Sequence, residues 1–503
     1  MLSDWRMMSN RKNVLKDVGT YAGSAYISQI FDFVNGILVR KFLGPSTMGL
    51  WSLLQVVISY SKYSLLGTVQ AAAKEIPYKI GKGEELEAAE IKNNVYGFAI
   101  FSGIINAFFC LIFAVWHNKT LDQDFIVGIG AAGFIILGQR LYNYWVVLLR
   151  VTKQFNVASA LMLFSSVVSL LLTVSLILPF GFYGFLISQT VIYVINLAFI
   201  RRFGKLSLTY SLNFKVIRPV IRLGLSLILC QVSYVVFTSL DRIFISRMLG
   251  FTPLGLFSVA IMANTYILSF PNIAGIVLFP YYQEKFGKRD NPKDLESYVM
   301  YPTITLTYIL PFLICLVWFF SPLLFHYFLP QYVDGLPALK LLIIGSYFLC
   351  LTQHFNVFLI TIQKQFQLFL ATLLATAVLS AVLYGTIRTG WGITGVAAGE
   401  SAVFALYLFF LMFLSLRSLK AGWRQLFWCF MQAVLVITYT IAGISLIERW
   451  TLSQPLPLII LTLLRLFVSL IYLSPLMLIA EKRTQVASHC WSIVREKLGR
   501  KRK

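Results

Sequence analysis

Residues 43–52 read LGPSTMGLWS, and residues 249–258 read LGFTPLGLFS. At an offset of 206, Gly44 meets Gly250, Gly49 meets Gly255, Leu50 meets Leu256, Trp51 meets Phe257 and Ser52 meets Ser258. Upstream, Asn35 meets Asp241 at the same offset. A second correspondence runs at an offset of 211. It pairs Lys153-Gln154-Phe155 with Lys364-Gln365-Phe366, Gly181-x-x-Gly184 with Gly392-x-x-Gly395, and Gln189 with Glu400. Pro77-Tyr78 and Pro280-Tyr281 form a weaker pair. The offsets drift by only a few residues, so the chain reads as an internal duplication.

Around these motifs the sequence is too apolar for water. Of its 503 residues, 58% are hydrophobic and 13% charged, where a soluble domain carries about 25% charged residues. That excludes a soluble enzyme, a disordered chain and a disulfide scaffold. A membrane-crossing helix needs about 20 mostly apolar residues. Fourteen stretches qualify, near 17–39, 47–71, 93–116, 124–149, 155–179, 183–200, 223–246, 254–280, 298–325, 337–361, 366–387, 391–416, 425–447 and 455–480. The first is too long for a signal-peptide core and is read as a retained span.

The net charge of +23 reports topology and not nucleic-acid binding. With a cytoplasmic N-terminus, 32 of the 43 cations fall on cytoplasmic segments, seven on outer segments and four within spans. This positive-inside bias places both basic tails in the cytoplasm, which requires an even number of spans. Each repeat holds six, so the halves are parallel repeats about an axis along the membrane normal. The expected fold is an all-α polytopic membrane protein of about 14 transmembrane helices. It has a six-helix lobe over 1–210, a second over 211–420, and two extra helices with a basic tail over 421–503. Two such lobes across a central cleft suit alternating access.

LGPSTMGLWS, LDRIFISRMLGFTPLGLFSVA (240–260), GFYGFLISQ (181–189) and GITGVAAGE (392–400) resemble a known family. The sequence is similar to polysaccharide-repeat-unit flippases of the O-antigen translocase and polysaccharide transporter type. These belong to the superfamily that includes the multidrug and toxin extruders and the lipid II flippase. The resemblance covers nearly the whole chain and its 6+6+2 span count. It implies a secondary transporter, not an enzyme, in the cell inner membrane. That transporter would flip a polyprenyl-pyrophosphate-linked oligosaccharide to the outer leaflet for surface polysaccharide, exopolysaccharide or lipopolysaccharide synthesis. Membrane lipid and other polysaccharide assembly proteins are the implied partners. The alternatives are a drug or cation exporter of the multidrug and toxin extruder type, or a non-transporting scaffold of an assembly complex.

Ionisable side chains inside spans are costly and mark candidate sites. Lys62 and Arg140 lie near the middle of their helices and offer a positive floor for a pyrophosphate, which Lys meets as a point charge and Arg as a fork. Each could instead be paired inside the lobe, Lys62 for example with Asp32. Tyr144, in the run Tyr142-Asn143-Tyr144-Trp145, is a candidate to stack on a sugar, although aromatic residues also collect at membrane interfaces. Asp32 is a candidate proton or Na⁺ coupling site, with Asn35 one turn away. The same carboxylate could equally serve as a partner for Lys62 or Arg140. Glu400 pairs with the uncharged Gln189 across the repeat, an asymmetry that makes it a candidate coupling residue, with a helix-packing hydrogen bond as the other reading. The resemblance implies a structural salt bridge for Asp241 and Arg242. It implies a lipid headgroup contact for Arg465, where an inter-helix contact is the other reading. Isolated Cys and His residues give no metal or redox motif, and no nucleotide-binding loop is present. No cofactor beyond a coupling ion is expected.

Overall fold

The computed structural model describes residues 11–484 except 153, 290, 421, 453 and 455. The tail cations within 1–10 and 485–503, and Lys153 of the repeated Lys-Gln-Phe motif, lie outside the described residues. The fold is all-α. The helices are α1 (Arg11–Ser61), α2 (Thr68–Gly81), α3 (Glu85–Trp116), α4 (Gln123–Val151), α5 (Phe155–Phe203), α6 (Phe214–Phe237) and α7 (Leu240–Met248). There follow α8 (Phe251–Arg289), α9 (Glu296–Tyr327), α10 (Leu336–Thr361), α11 (Gln365–Arg388), α12 (Gly392–Ser418), α13 (Trp423–Leu452) and α14 (Leu458–Thr484). Among the described residues, twelve helical segments are long and apolar enough to cross a membrane. The chain is an integral membrane protein.

Two of those segments are double. Gly23–Leu65 has 43 residues and Phe155–Phe203 has 49, lengths of about 65 and 74 Å at 1.5 Å per residue, or twice a bilayer core. Each breaks at a glycine next to a proline. Gly44 has φ 76° and precedes Pro45, and Gly181 has φ 55° two residues after Pro179. Proline cannot donate to the helical ladder, and glycine alone takes a left-handed φ without strain. Contacts within α5 show that the chain folds back here. Asn196 donates to Ser165 at 2.8 Å, Thr173 meets Ser188 at 3.4 Å, and a Cβ on Gly184 would lie 1.9 Å from the Leu176 carbonyl oxygen. Each pair centres on residues 180–181, as an antiparallel hairpin requires. Twelve segments with two doubled therefore give the fourteen crossings read from hydropathy.

The duplication reappears in the backbone. Gly250 has φ 95° where its counterpart Gly44 has 76°, and Gly392 has φ 57° where Gly181 has 55°. The α11–α12 hairpin repeats the α5 hairpin. Thr372 meets the Tyr407 hydroxyl at 3.0 Å, and a Cβ on Gly399 or Gly395 would press on Val382 or Thr386. These pairs centre on residues 389–391, about one repeat beyond 180–181.

The chain divides into two compact units, Met1–Ser246 and Arg247–Lys503, with the boundary inside α7. In the first unit α1 packs along α5, α3 along α4, and α2 against α3 and α6. In the second, α10 is central, flanked by α8, α9 and α12, while α14 lies on α9 and α13. Tyr347, Phe355 and Phe358 of α10 are fully buried. Leu463, Phe467, Leu470, Ile471 and Leu478 of α14 stay exposed, which suits a helix bordering lipid.

Candidate functional site

The second half of α1 does not run on into α2 as one unbroken helix. It ends at Ser61, passes through a 3₁₀ turn at Lys62–Leu65, and then takes two left-handed residues, Leu66 (φ 49°) and Gly67 (φ 74°), before α2. The last turn of a helix leaves carbonyls without N–H partners and carries about half a negative charge. In an apolar setting those groups need a donor.

Arg140 of α4 supplies it. Only 2% of the residue is exposed. Its Nη2 donates to the Ser61 carbonyl and, at 2.6 Å, to the Ser64 hydroxyl. Its Nη1 donates to Ser102 Oγ of α3 at 2.6 Å. Asn106 donates to Ser64 at 3.0 Å, and Ser64 donates on to the Ser61 carbonyl. Among the described residues no carboxylate lies within ion-pair distance of Arg140, and its Nε has no partner. The guanidinium is thus held by neutral oxygens and a helix C-terminus. Ser61 and Ser64 were legible as an i, i+3 pair ahead of Leu66-Gly67, and Ser102 and Asn106 as i, i+4 on α3. Their meeting with Arg140 needed the fold.

Lys62 lies at the same break but differs from Arg140. It is exposed, and among the described residues it pairs with neither Asp32 nor any other carboxylate. Tyr63 beside it donates to the Gln231 carbonyl of α6 at 3.0 Å, and Tyr60 meets Ser239 at 2.8 Å. Gly67 and Gly224 touch through their backbones, since a Cβ on Gly67 would lie 2.4 Å from the Gly224 oxygen. The break is therefore seated on α6.

Tyr144 is fully buried and donates to the Lys92 carbonyl at 2.7 Å. Its ring stacks on Tyr96, and Trp145 meets Tyr96 edge-on. In this conformation the Tyr144 ring packs inside the lobe and offers no face to a sugar.

A second polar layer joins α1 to α5. Ser28, Asp32 and Asn35 share one face of α1 at i, i+4 and i+7. Asp32 is exposed and hydrogen-bonded to Ser166, and Asn35 Nδ2 reaches Ser169 Oγ at 3.4 Å. The buried oxygens Ser28 Oγ, Asn35 Oδ1 and Asn196 Oδ1 have no hydrogen-bond partner among the described residues. Carboxylate, amide and hydroxyl oxygens are the donor types that a proton or Na⁺ site uses. Asp32 and Asn35 stand out in the sequence as polar groups within a span, whereas the serines of α5 are hidden among many others.

The remaining candidates are separate. Glu400 is buried on α12 in the second unit, next to Ser401, which donates to the Leu341 carbonyl at 2.9 Å. Asp241 is buried at the start of α7, where its carboxylate draws on the backbone N–H of Arg242. Among the described residues no direct ion pair forms between the Asp241 carboxylate and the Arg242 guanidinium, whose Nε has no hydrogen-bond partner there. Adjacent residues on a helix point about 100° apart, which keeps the two groups from closing. Arg465 of α14 donates from Nε to Thr451 of α13 at 2.8 Å, which is an inter-helix contact. Beside it Glu448 joins Lys340 and Trp318 Nε1, each at 2.8 Å, and Lys340 lies over the Trp318 ring. This group ties α13 to α9 and α10.

Residues 14–286, more than half of the chain, match the family described as polysaccharide biosynthesis protein. The chain belongs to that family. Among curated proteins, none matches the sequence. Solved structures share the fold at low identity. An inward-facing multidrug resistance MATE family transporter of the MOP superfamily aligns at TM-score 0.65 and 17% identity, over 81% of this chain and 95% of that one. A MOP superfamily transporter from Pyrococcus furiosus, whose binding pocket is described as having reverse polarity, aligns at 0.59 and 16%, over 81% and 97%. The lipid II flippase MurJ, in an inward closed conformation, aligns at 0.56 and 14%, over 92% and 99%. The solved structures that share this fold are described as transporters and as a flippase.

Proposed function

We propose that this polysaccharide biosynthesis family member flips a polyprenyl-pyrophosphate-linked oligosaccharide from the cytoplasmic to the outer leaflet of the inner membrane by alternating access. Its product would feed a surface polysaccharide such as O-antigen, lipopolysaccharide or exopolysaccharide, alongside other assembly proteins. Both termini are cytoplasmic in this reading, as the cation distribution requires. The family supports the polysaccharide, and one observation supports its anionic link. Lys62 is an exposed cation with no counter-ion among the described residues, set in a break of a membrane-crossing helix. A drug or cation exporter would place an acid there. Arg140, with its guanidinium held inside the lobe, fixes the break that presents Lys62. Asp32 and Asn35 form the coupling site for H⁺ or Na⁺ in this reading, with the buried Glu400 a second carboxylate in the other unit.

The purified protein in vesicles, loaded with a fluorescent lipid-linked oligosaccharide on one leaflet, tests this. Leaflet exchange in the wild type and its loss in Lys62→Gln support the proposal. Vesicles that move a cationic dye but no lipid-linked sugar favour the exporter, and vesicles that move neither favour the scaffold.

A further inference from the structure

At the junction of α12 and α13 the second unit holds a cavity of about 400 Å³. It is lined by Arg417 in the last turn of α12, Lys420 in the turn, and the first residues of α13. Lys420 takes a left-handed φ of 58°, which closes α12 and turns the chain sharply toward α13. Arg417 and Lys420 are exposed, and among the described residues neither has a carboxylate within ion-pair distance. The start of α13, a 30-residue helix, brings the positive end of its dipole against the negative end of α12 at the same turn, so the cations carry the site's charge. Lys364 lies at the same end, its Nζ on Ser418 Oγ at 2.9 Å.

The rest of the wall is apolar. Leu416 and Leu426 are buried, and the Phe413 and Trp423 rings pair with centroids 5.1 Å apart. Trp423 is 71% exposed, and Phe427 and Trp428 beside it are also exposed, the pattern of an interfacial aromatic belt. Two unmatched cations over an apolar floor at a membrane interface complement an amphipathic anion. A free phosphate would have no use for the Leu and aromatic wall.

We propose that this cavity binds the phosphate headgroup of an anionic membrane phospholipid, with Arg417 and Lys420 as its ligands. The site is formed by α12 and α13 alone and does not depend on what the protein transports. The lipid bridges the end of the second six-helix repeat to the two added helices, so its binding steadies the α12–α13 junction.

Native mass spectrometry of the detergent-purified full chain, titrated with phosphatidylglycerol or phosphatidylcholine, tests the assignment. The wild type is expected to retain phosphatidylglycerol in preference to phosphatidylcholine. The R417Q/K420Q variant should lose about thirtyfold in phosphatidylglycerol affinity, taking each basic residue near an anionic lipid as worth about fivefold. R201Q/R202Q, which removes two exposed cations from the end of α5, separates a built site from general attraction to a basic face. Equal loss in both variants overturns the proposal. So does equal retention of the two lipids, or full competition by free inorganic pyrophosphate at the concentration of the lipid. A wild-type melting temperature that rises with phosphatidylglycerol, and does not rise in R417Q/K420Q, supports it independently.

Discussion

Arg140 donates to the carbonyl of Ser61, the last residue of α1. One guanidinium thereby meets the negative end of a helix and two serine hydroxyls, from three different segments. The charge that looked from sequence like a ligand for substrate is engaged in holding a helix open. Lys62, one residue beyond Ser61, is left outside that network and exposed.

Replacing Arg140 should therefore cost stability before it costs binding. R140Q removes charge-assisted hydrogen bonds and the cap on α1, a loss of about 3 kcal/mol. R140K should be nearly as damaging, because an ammonium cannot span Ser61, Ser64 and Ser102 as a fork does. Thermal unfolding in detergent measures both, with K62Q expected to melt like the wild type. A stable R140Q that has merely lost transport would show that Arg140 acts on substrate.

Gly67 and Gly83 give a matched pair of tests. Both have positive φ, 74° and 81°, but a Cβ on Gly67 would strike Gly224 and one on Gly83 would meet nothing within 4 Å. G83A should cost about 1 kcal/mol of backbone strain, and G67A about 3 kcal/mol or more because α6 must also move. Melting temperatures of the two variants separate strain from packing.

Glu448 is expected to fasten the added helices. E448Q weakens the bonds to Lys340 and Trp318, and a half-exposed pair of this kind contributes about 1 kcal/mol. The double variant E448Q/K340M should be less destabilised than the two single effects combined. Faster hydrogen exchange confined to α13 and α14 would be the accompanying sign.

The turn after α2 should respond to pH. Lys79 bonds Glu84 and Glu87 at 2.6 Å each. The bond to Lys79 holds the Glu84 carboxyl below its usual range, and the bonds to Glu84 and Glu87 raise the Lys79 ammonium above its own. A depressed carboxylate stabilises the folded turn above its unfolded pKa, and that contribution fades as pH falls through the lower folded value. The Lys79 contribution is full below the ordinary lysine pKa and fades as pH rises through the raised value. Protection factors of the amides at 79–87, with the intrinsic pH dependence of exchange divided out, should therefore fall below about pH 4 and above about pH 10 and stay flat between. K79Q should flatten both limbs.

In transport, D32N should uncouple the ion gradient. Vesicles of the wild type are expected to speed leaflet exchange when a proton or Na⁺ gradient is imposed, and D32N vesicles to exchange at one slow rate with or without it. If D32N still answers the gradient, the coupling carboxylate lies elsewhere, and E400Q becomes the next variant to measure.

The sequence by itself determined the helices, their number and their pairing into repeats. Those depend on local chemistry: twenty apolar residues must cross a bilayer as a helix, and a Gly-Pro or Pro-x-Gly pair must interrupt one. The glycines at 44, 181, 250 and 392 could be read as turns because each needs only its own backbone to reach positive φ. The tertiary structure decided what the charges do. Arg140 and Lys62 look alike in sequence, two cations in mid-span, and so do Asp32 and Asp241. Their roles follow from which serines, carbonyls or helix ends arrive beside them from segments tens of residues away. Side-chain partners of a buried charge are set by packing, which no local pattern encodes. The four cations within spans have accordingly divided: Arg140 caps a helix, Arg465 ties two helices together, Arg242 lies beside Asp241 without closing on it, and Lys62 alone is left exposed at a break.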